Sequence, residues 1–202
     1  LKNVLTGFKY IGEVILNLEK KGEENRYVFG FEESYGYLSG GYVRDKDAVD
    51  GSLLICEMFA YYKAQGKSLL EVLNGLYEKY GYCLNTLRSY TFEGAEGFDK
   101  MKGIMSGFRN DTPVTIGGRR VEGMCDYLES IAFDRNGKQE PIHLPKSDVL
   151  KFILEGNASV VVRPSGTEPK LKMYLSVSAE GKEEAARLEA LIAEEIETTR
   201  FL

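Results

Sequence analysis

The chain has 202 residues, 43% hydrophobic and 28% charged, and its 26 Lys and Arg against 31 Asp and Glu give a formal charge of -5. That is long enough to bury one or two cores, and a mildly acidic chain without a basic tract excludes an electrostatic footprint for nucleic acid or an anionic membrane. No apolar run reaches the roughly 18 to 20 residues that span a bilayer, and no charged, apolar, small-residue leader opens the chain, so a cytoplasmic setting is expected.

The first element in chain order is an amphipathic helix over residues 7–20, where Phe8, Ile11, Ile15 and Leu18 recur at three- and four-residue spacing before Lys20-Lys21-Gly22. Residues 26–31 read as a short strand entering a loop with Gly30, Gly36, Gly40 and Gly41. A helix is expected over 48–64, with Val49, Leu53, Phe59 and Tyr62 apolar and Asp47 as its N-cap. Ser68-Leu69-Leu70-Glu71 has the spacing of a capping box and opens a third helix that ends at Gly81. The first 85 residues thus read as one strand and three helices. A lone strand leaves its backbone donors and acceptors unpaired, so further strands are expected upstream of Leu1, in keeping with a chain that does not begin with Met.

Beyond residue 86 the pattern changes. Residues 86–92 alternate as a strand, and Phe98, Met101, Met105 and Phe108 mark a helix. Residues 119–128 and 131–133 read as strands, with Asp134-Arg135-Asn136-Gly137 a turn. Ser147 is placed as the cap of a short helix carrying Val149, Leu150 and Ile153. Residues 158–162 and 171–177 are β-prone, and 182–199 form a charged amphipathic helix. Short turns between these strands favour an antiparallel sheet with helices packed on one face.

The rare residues narrow the chemistry. Cys56, Cys83 and Cys125 are odd in number and widely spaced, which excludes a disulfide framework or a Cys-x-x-Cys metal site; each is expected to be a small buried apolar residue. The single histidine, His143, lies between Pro141 and Pro145 in what reads as an extended connector. One histidine excludes multi-histidine zinc sites.

Four segments carry candidate chemistry. Arg163-Pro164-Ser165-Gly166-Thr167-Glu168-Pro169-Lys170, between two β-prone runs, offers a guanidinium, two hydroxyls, an ammonium and free amides around Gly166, with Lys172 alternating onto the face of Lys170. Converging donors of that kind suit a phosphate, although a polar Pro-Gly segment between strands also makes an ordinary hairpin. Gly30-Phe31-Glu32-Glu33-Ser34 follows a strand, and its carboxylates and hydroxyl suit vicinal sugar hydroxyls or, equally, a solvated acidic loop. Arg44-Asp45-Lys46-Asp47 ends the same loop, and Thr6-Gly7-Phe8-Lys9 opens the first helix, where amides and a cation could meet an anion.

Taken together and in order, these segments resemble the α-D-phosphohexomutases, with the bacterial phosphoglucomutase branch most similar. The resemblance implies an α/β segment, residues 1–85, corresponding to the later part of that family's third domain, followed by an α+β fourth domain, residues 86–202, with an antiparallel sheet and helices on one face. It implies that Arg163, Ser165, Gly166 and Thr167 hold the nonreacting phosphate with Lys170 and Lys172 adding charge. It also implies that Glu32 and Ser34 bind sugar hydroxyls, that Gly7, Lys9 and Arg44 contribute to substrate binding, and that Lys46 matches a lysine assisting proton transfer or contacting phosphate. The family interconverts hexose 1-phosphate and 6-phosphate through a bisphosphorylated intermediate, with Mg2+ and glucose 1,6-bisphosphate as cofactors. Its Thr-Ala-Ser-His-Asn-Pro-like phosphoserine loop and Asp-Gly-Asp-x-Asp-Arg-like metal loop do not occur in these 202 residues. The chain is therefore expected to be a carboxy-terminal substrate-binding portion, inactive alone and partnered by amino-terminal domains, with no metal held by its own residues and no nucleic-acid or membrane partner. The alternative reading is a noncatalytic sugar-phosphate-binding module.

Overall fold

A computed structural model describes residues 1–32, 36–94, 96–166 and 168–200, the last without its side chain. The chain divides into two compact units, Leu1–Gly75 and Leu76–Leu202, a division that falls inside the third helix, ahead of the 85/86 boundary read from the sequence.

In the first unit, helix α1 (Phe8–Glu19) buries Phe8, Gly12 and Ile15, as its spacing predicts. Residues Glu24–Arg26 form one 3-10 turn, and strand β1 (Gly30–Glu32) pairs antiparallel with β2 (Gly36–Leu38). The expectation of a single strand over 26–31 is corrected on both counts: the strand begins later, and Gly36–Leu38 supplies a partner for its backbone groups. The second strand escapes a pattern search because it is three residues long, below the length at which alternation is legible. Helices α2 (Ala48–Ala64) and α3 (Leu69–Tyr80) match their expected bounds. The capping box at α3 is formed, with the Ser68 amide donating to Glu71 at 2.7 Å and the Glu71 amide to Ser68 Oγ at 3.2 Å. Phe8, Ile15 and Leu38 make the small core, with Ile11 and Tyr27 against it.

In the second unit the strands are β3 (Tyr82–Thr91), β4 (Thr115–Ile116), β5 (Arg119–Asp126), β6 (Ile131–Asp134), β7 (Gln139–Pro141), β8 (Leu150–Leu154), β9 (Ala158–Pro164) and β10 (Lys170–Ala179). Helix α4 (Gly97–Asn110) follows β3, and α5 (Lys182–Arg200) closes the unit. The sheet order is β3-β10-β9-β8-β5-β6-β7, with β4 on β5, and every pairing is antiparallel.

Alternation sorts the sheet's faces. Leu171, Met173, Leu175 and Val177 of β10 and Val160 and Val162 of β9 are buried in one core with Met101, Ile104, Met105 and Phe108 of α4 and Leu188, Ile192 and Ile196 of α5. Both helices therefore cover the same face, and the intervening β9 and β10 residues point to the other.

The short helix expected after Ser147 is instead β8. Leu150, Phe152 and Leu154 are buried at period two between β5 and β9, a central position whose ladder bonds on both sides outweigh a three-residue helical spacing. The cysteines also depart from expectation: Cys56 on α2 and Cys83 on β3 are exposed, and Cys125 is half-buried, its thiol pushed up by burial. Cys83 and Cys125 occupy strand positions facing away from the helices. His143 lies in an exposed non-helical, non-strand connector.

One polar cluster ties β3 to α5. Glu189, almost fully buried, accepts from Thr86 Oγ1 at 2.8 Å and from Arg88 Nε and Nη2 at 3.0 Å each. Its carboxyl is held below the ordinary 4.5, chiefly by Arg88, with burial opposing. A carboxyl lowered in the folded state stabilises the fold above its unfolded value, and that contribution fades as pH falls through the folded one. Urea midpoints are thus expected to fall more steeply below about pH 4.5 in the wild type than in Glu189→Gln. Parallel pH profiles would show that this carboxylate does not govern acid stability.

Candidate functional site

In the first unit the site is built around the ends of α1, β1 and α2. Gly7 caps α1 with φ 122, a value open to glycine and strained for other residues. Lys9 is exposed, its ammonium 4.9 Å from the centre of the Tyr10 ring. An open cleft of about 830 Å³ includes Thr6, Gly7, Ile11, Tyr27, Phe31 and Glu32 in its lining, so the helix start and the acidic strand end share one concave surface.

Glu32 terminates β1 and forms an ion pair with Lys46, whose side chain is far more exposed than the glutamate's. Lys46 is delivered by a pinned loop. The Asp47 amide donates to Tyr37 O at 2.9 Å, and its carboxylate caps α2 by accepting from the amides of Val49 at 2.8 Å and Asp50 at 3.1 Å. Tyr42 Oη donates to the same carboxylate at 2.9 Å. These bonds hold Asp47 below the usual carboxylate range, the Asp50 amide first, while desolvation and the bond to Asp47 push Tyr42 up to about 12. Asp50 accepts from the amide and hydroxyl of Ser39 at 2.7 and 2.6 Å, fastening the other end of the loop.

Arg44 pairs with Glu19 of α1 and donates to the Gly41 carbonyl, so its guanidinium is engaged within the unit. Its carbonyl lies close enough to α1 that a Cβ on Gly12 would sit 2.7 Å away, which leaves room only for glycine. The structure therefore joins Glu32 with Lys46 and with Gly7, and ties Arg44 to α1. Ser34 lies outside the described residues. Tyr42 and Asp50 were passed over in the sequence; a second aspartate in the first turn of α2 was the available signal.

In the second unit, Arg163 to Lys170 connects two antiparallel neighbours, β9 and β10. Below the loop, Lys172 stands directly opposite Arg163 in the register, and Leu171 opposite Pro164. Leu171 is buried against the helices, so Arg163 and Lys172 project from the helix-free face. Two cations directly opposed across a ladder repel each other. Among the described residues neither is within ion-pair distance of a carboxylate, whereas Lys170 binds Glu168 at 2.8 Å; that bond chiefly, with the charge of Lys172 adding to it, holds the Glu168 carboxyl below the ordinary value.

The loop closes through Ser165 N–H to Lys170 O at 2.7 Å and Lys170 N–H to Glu168 O at 2.7 Å. Phe92 N–H, just past β3, donates to Pro169 O at 2.9 Å and anchors the loop's second arm. Nothing within 4 Å obstructs Gly166 where a side chain would start, so a ligand can approach its backbone. Thr167 lies outside the described residues. A guanidinium, an ammonium, a hydroxyl and an open glycine turn together match the planar and point-charge donors that hold a phosphate dianion.

Family models of phosphoglucomutase/phosphomannomutase match two stretches: the alpha/beta/alpha domain III over residues 1–80 and the C-terminal domain over residues 131–198. Phosphoglucomutases of Staphylococcus aureus strains bovine RF122 / ET3-1 and USA300 are each 39% identical over 188 residues, covering 92% of this chain and 33% of theirs. The chain thus spans about a third of the length of these relatives. The crystal structure of the exocytosis-sensitive phosphoprotein pp63/parafusin, a phosphoglucomutase from Paramecium in its open form, superposes with a TM-score of 0.58 at 17% identity, covering 95% of this chain and 32% of that one. No helix among the described residues is long and apolar enough to cross a membrane.

Proposed function

The chain belongs to the phosphoglucomutase/phosphomannomutase family, and from that premise we propose that it is the substrate-binding portion of a cytoplasmic enzyme interconverting hexose 1-phosphate and hexose 6-phosphate through a bisphosphorylated intermediate. The observation that carries the reading is the facing of Arg163 and Lys172 beneath an open glycine turn. Such repulsion is relieved when a dianion bridges the pair.

In this reading Arg163, Lys172, Ser165 and Thr167, with the amide of Gly166, anchor the phosphate that is not reacting. The second unit contributes strong charge with little shape demand, as needed if either phosphate of the substrate is anchored in turn. Glu32 and Ser34 accept from sugar hydroxyls. Lys46, released from Glu32 as the sugar takes its place, donates to a phosphate or moves a proton at the sugar oxygen. Gly7 lines that cleft, and Lys9 and Arg44, which stand outside its lining, contribute to substrate binding from the same unit.

A magnesium ion, which the family uses, would neutralise charge on the transferring phosphoryl group. The residues present do not fit it: among those described, no group of three or more His, Cys, Asp or Glu side chains is arranged to hold a metal. Positioning groups alone cannot carry out phosphoryl transfer, which needs an acceptor as well as charge neutralisation.

Two measurements test the reading. Glucose 6-phosphate titrated into the protein is expected to shift the amide resonances of residues 163–172 with about millimolar affinity, as a few charge-assisted bonds in open solvent allow. Unmoved resonances would remove the phosphate site. With glucose 1-phosphate, Mg2+ and glucose 1,6-bisphosphate, the chain alone is expected to show no turnover; product above the blank would overturn the division of labour proposed here.

A further inference from the structure

The phosphate cradle does not end at the loop. Strand β3, on the far side of β10 from β9, sets Ser89 opposite Lys172 and Thr91 opposite Lys170. Tyr82, Leu84 and Tyr90 of β3 pack on the helical core, so the odd-numbered positions between them face away from it. Ser89 is therefore the third member of a row, Arg163–Lys172–Ser89, that crosses three adjacent strands on one open face. Neighbouring strands lie about 4.8 Å apart, which brings the three within reach of a single tetrahedral anion.

The side chains differ in length in a useful way. Arg163 and Lys172 are long and can curl over a bound group, whereas Ser89 and Thr91 are short and keep their hydroxyls near the sheet. A phosphate monoester has three terminal oxygens, each able to accept more than one bond. The loop and the two cations approach from above and from the side. Hydroxyls on the sheet surface are the donors that can meet the oxygen facing the sheet. The bond from Phe92 N–H to Pro169 O makes the end of β3 and the loop one assembly, so this spacing is fixed before a ligand arrives.

We propose that Ser89 and Thr91 of β3 are phosphate ligands, forming the floor of the site whose walls are Arg163 and Lys172. The inference rests on the phosphate reading given above and adds residues from a strand outside the loop motif.

The test is a titration of inorganic phosphate and of glucose 6-phosphate into the 202-residue protein, followed by amide shifts at 163–172, with four variants. Ser89→Ala is expected to weaken both ligands about three- to tenfold and Thr91→Val by a similar factor, as removal of one bond to a charged acceptor does in open solvent. Ser89→Thr, which keeps the hydroxyl, is expected to bind as the wild type does, and a stability role alone would not produce that rescue. Arg163→Ala serves as the control and is expected to lose binding.

Affinity unchanged in Ser89→Ala and Thr91→Val while Arg163→Ala loses it would overturn the β3 floor and leave the loop reading intact. Affinity unchanged in Arg163→Ala, or no shift in the wild type, would overturn both. Ser89→Thr binding as weakly as Ser89→Ala would also count against the hydroxyl as a ligand.

Discussion

Phe152→Ala is expected to lower the stability of the second unit by about 3–5 kcal/mol, the range for deleting a buried aromatic ring from a packed core. Phe152 has no exposed surface and sits on β8 with Met124 of β5 opposite on one side and Val160 of β9 on the other. Its ring lies 5.3 Å from that of Phe108 at 46°, the direct contact between the sheet's centre and α4. Neither neighbouring strand can move inward without breaking its ladder, so the cavity would stay open. The melting transition should fall by roughly 10 to 20 °C, while Phe152→Leu, which refills much of the volume, should lose well under half as much. A loss below about 1 kcal/mol in urea denaturation would mean that the layers repack freely and that the core is not held by this strand.

Asp126→Ala is expected to cost about 3 kcal/mol, the scale for breaking a buried, hydrogen-bonded charge pair. Asp126 is almost fully buried at the end of β5. It accepts from Arg109 Nε at 2.8 Å and, at the turn that follows, from the amides of Leu128 at 2.9 Å and Glu129 at 3.3 Å. Arg109 also reaches Asp148 at 2.5 Å, so one guanidinium joins the end of α4 to two connections of the sheet. Alanine would leave the turn amides without their acceptor and the guanidinium with one partner fewer. Asp126→Asn retains an oxygen for the turn amides but gives up the charge and the acceptor for Arg109 Nε, so it should cost less than alanine by about the worth of the turn bonds. Equal losses in the two variants would show that the charge, and not the turn, is what Asp126 serves.

Helices α1 to α5 were all legible because their information is local. The three- and four-residue spacing of Phe8, Ile11 and Ile15, the Asp47 cap and the Ser68–Glu71 box each act within one or two turns of chain. The β8 segment was not legible, since Val149, Leu150 and Ile153 satisfy a helical spacing as well as Leu150, Phe152 and Leu154 satisfy a strand's. Only the flanking β5 and β9, supplying hydrogen bonds on both sides, decide between them. Cys56 and Cys83 show the same limit: composition predicts burial for free cysteine, but exposure follows from which face of an element points to a partner layer.

The sequence by itself determined that this protein carries a concentrated set of cationic and hydroxyl groups at residues 163–172 and an acidic residue at Glu32, because residue type and order are enough to state which groups are present. Only the tertiary structure decided how those groups are spent. It pairs Lys170 with Glu168 and Arg44 with Glu19, it sets Lys46 on Glu32, and it leaves Arg163 facing Lys172 with Ser89 as the next member of the row. The reason is that a binding site depends on which charges oppose one another, and that is a property of strand register and loop closure between residues far apart in the chain.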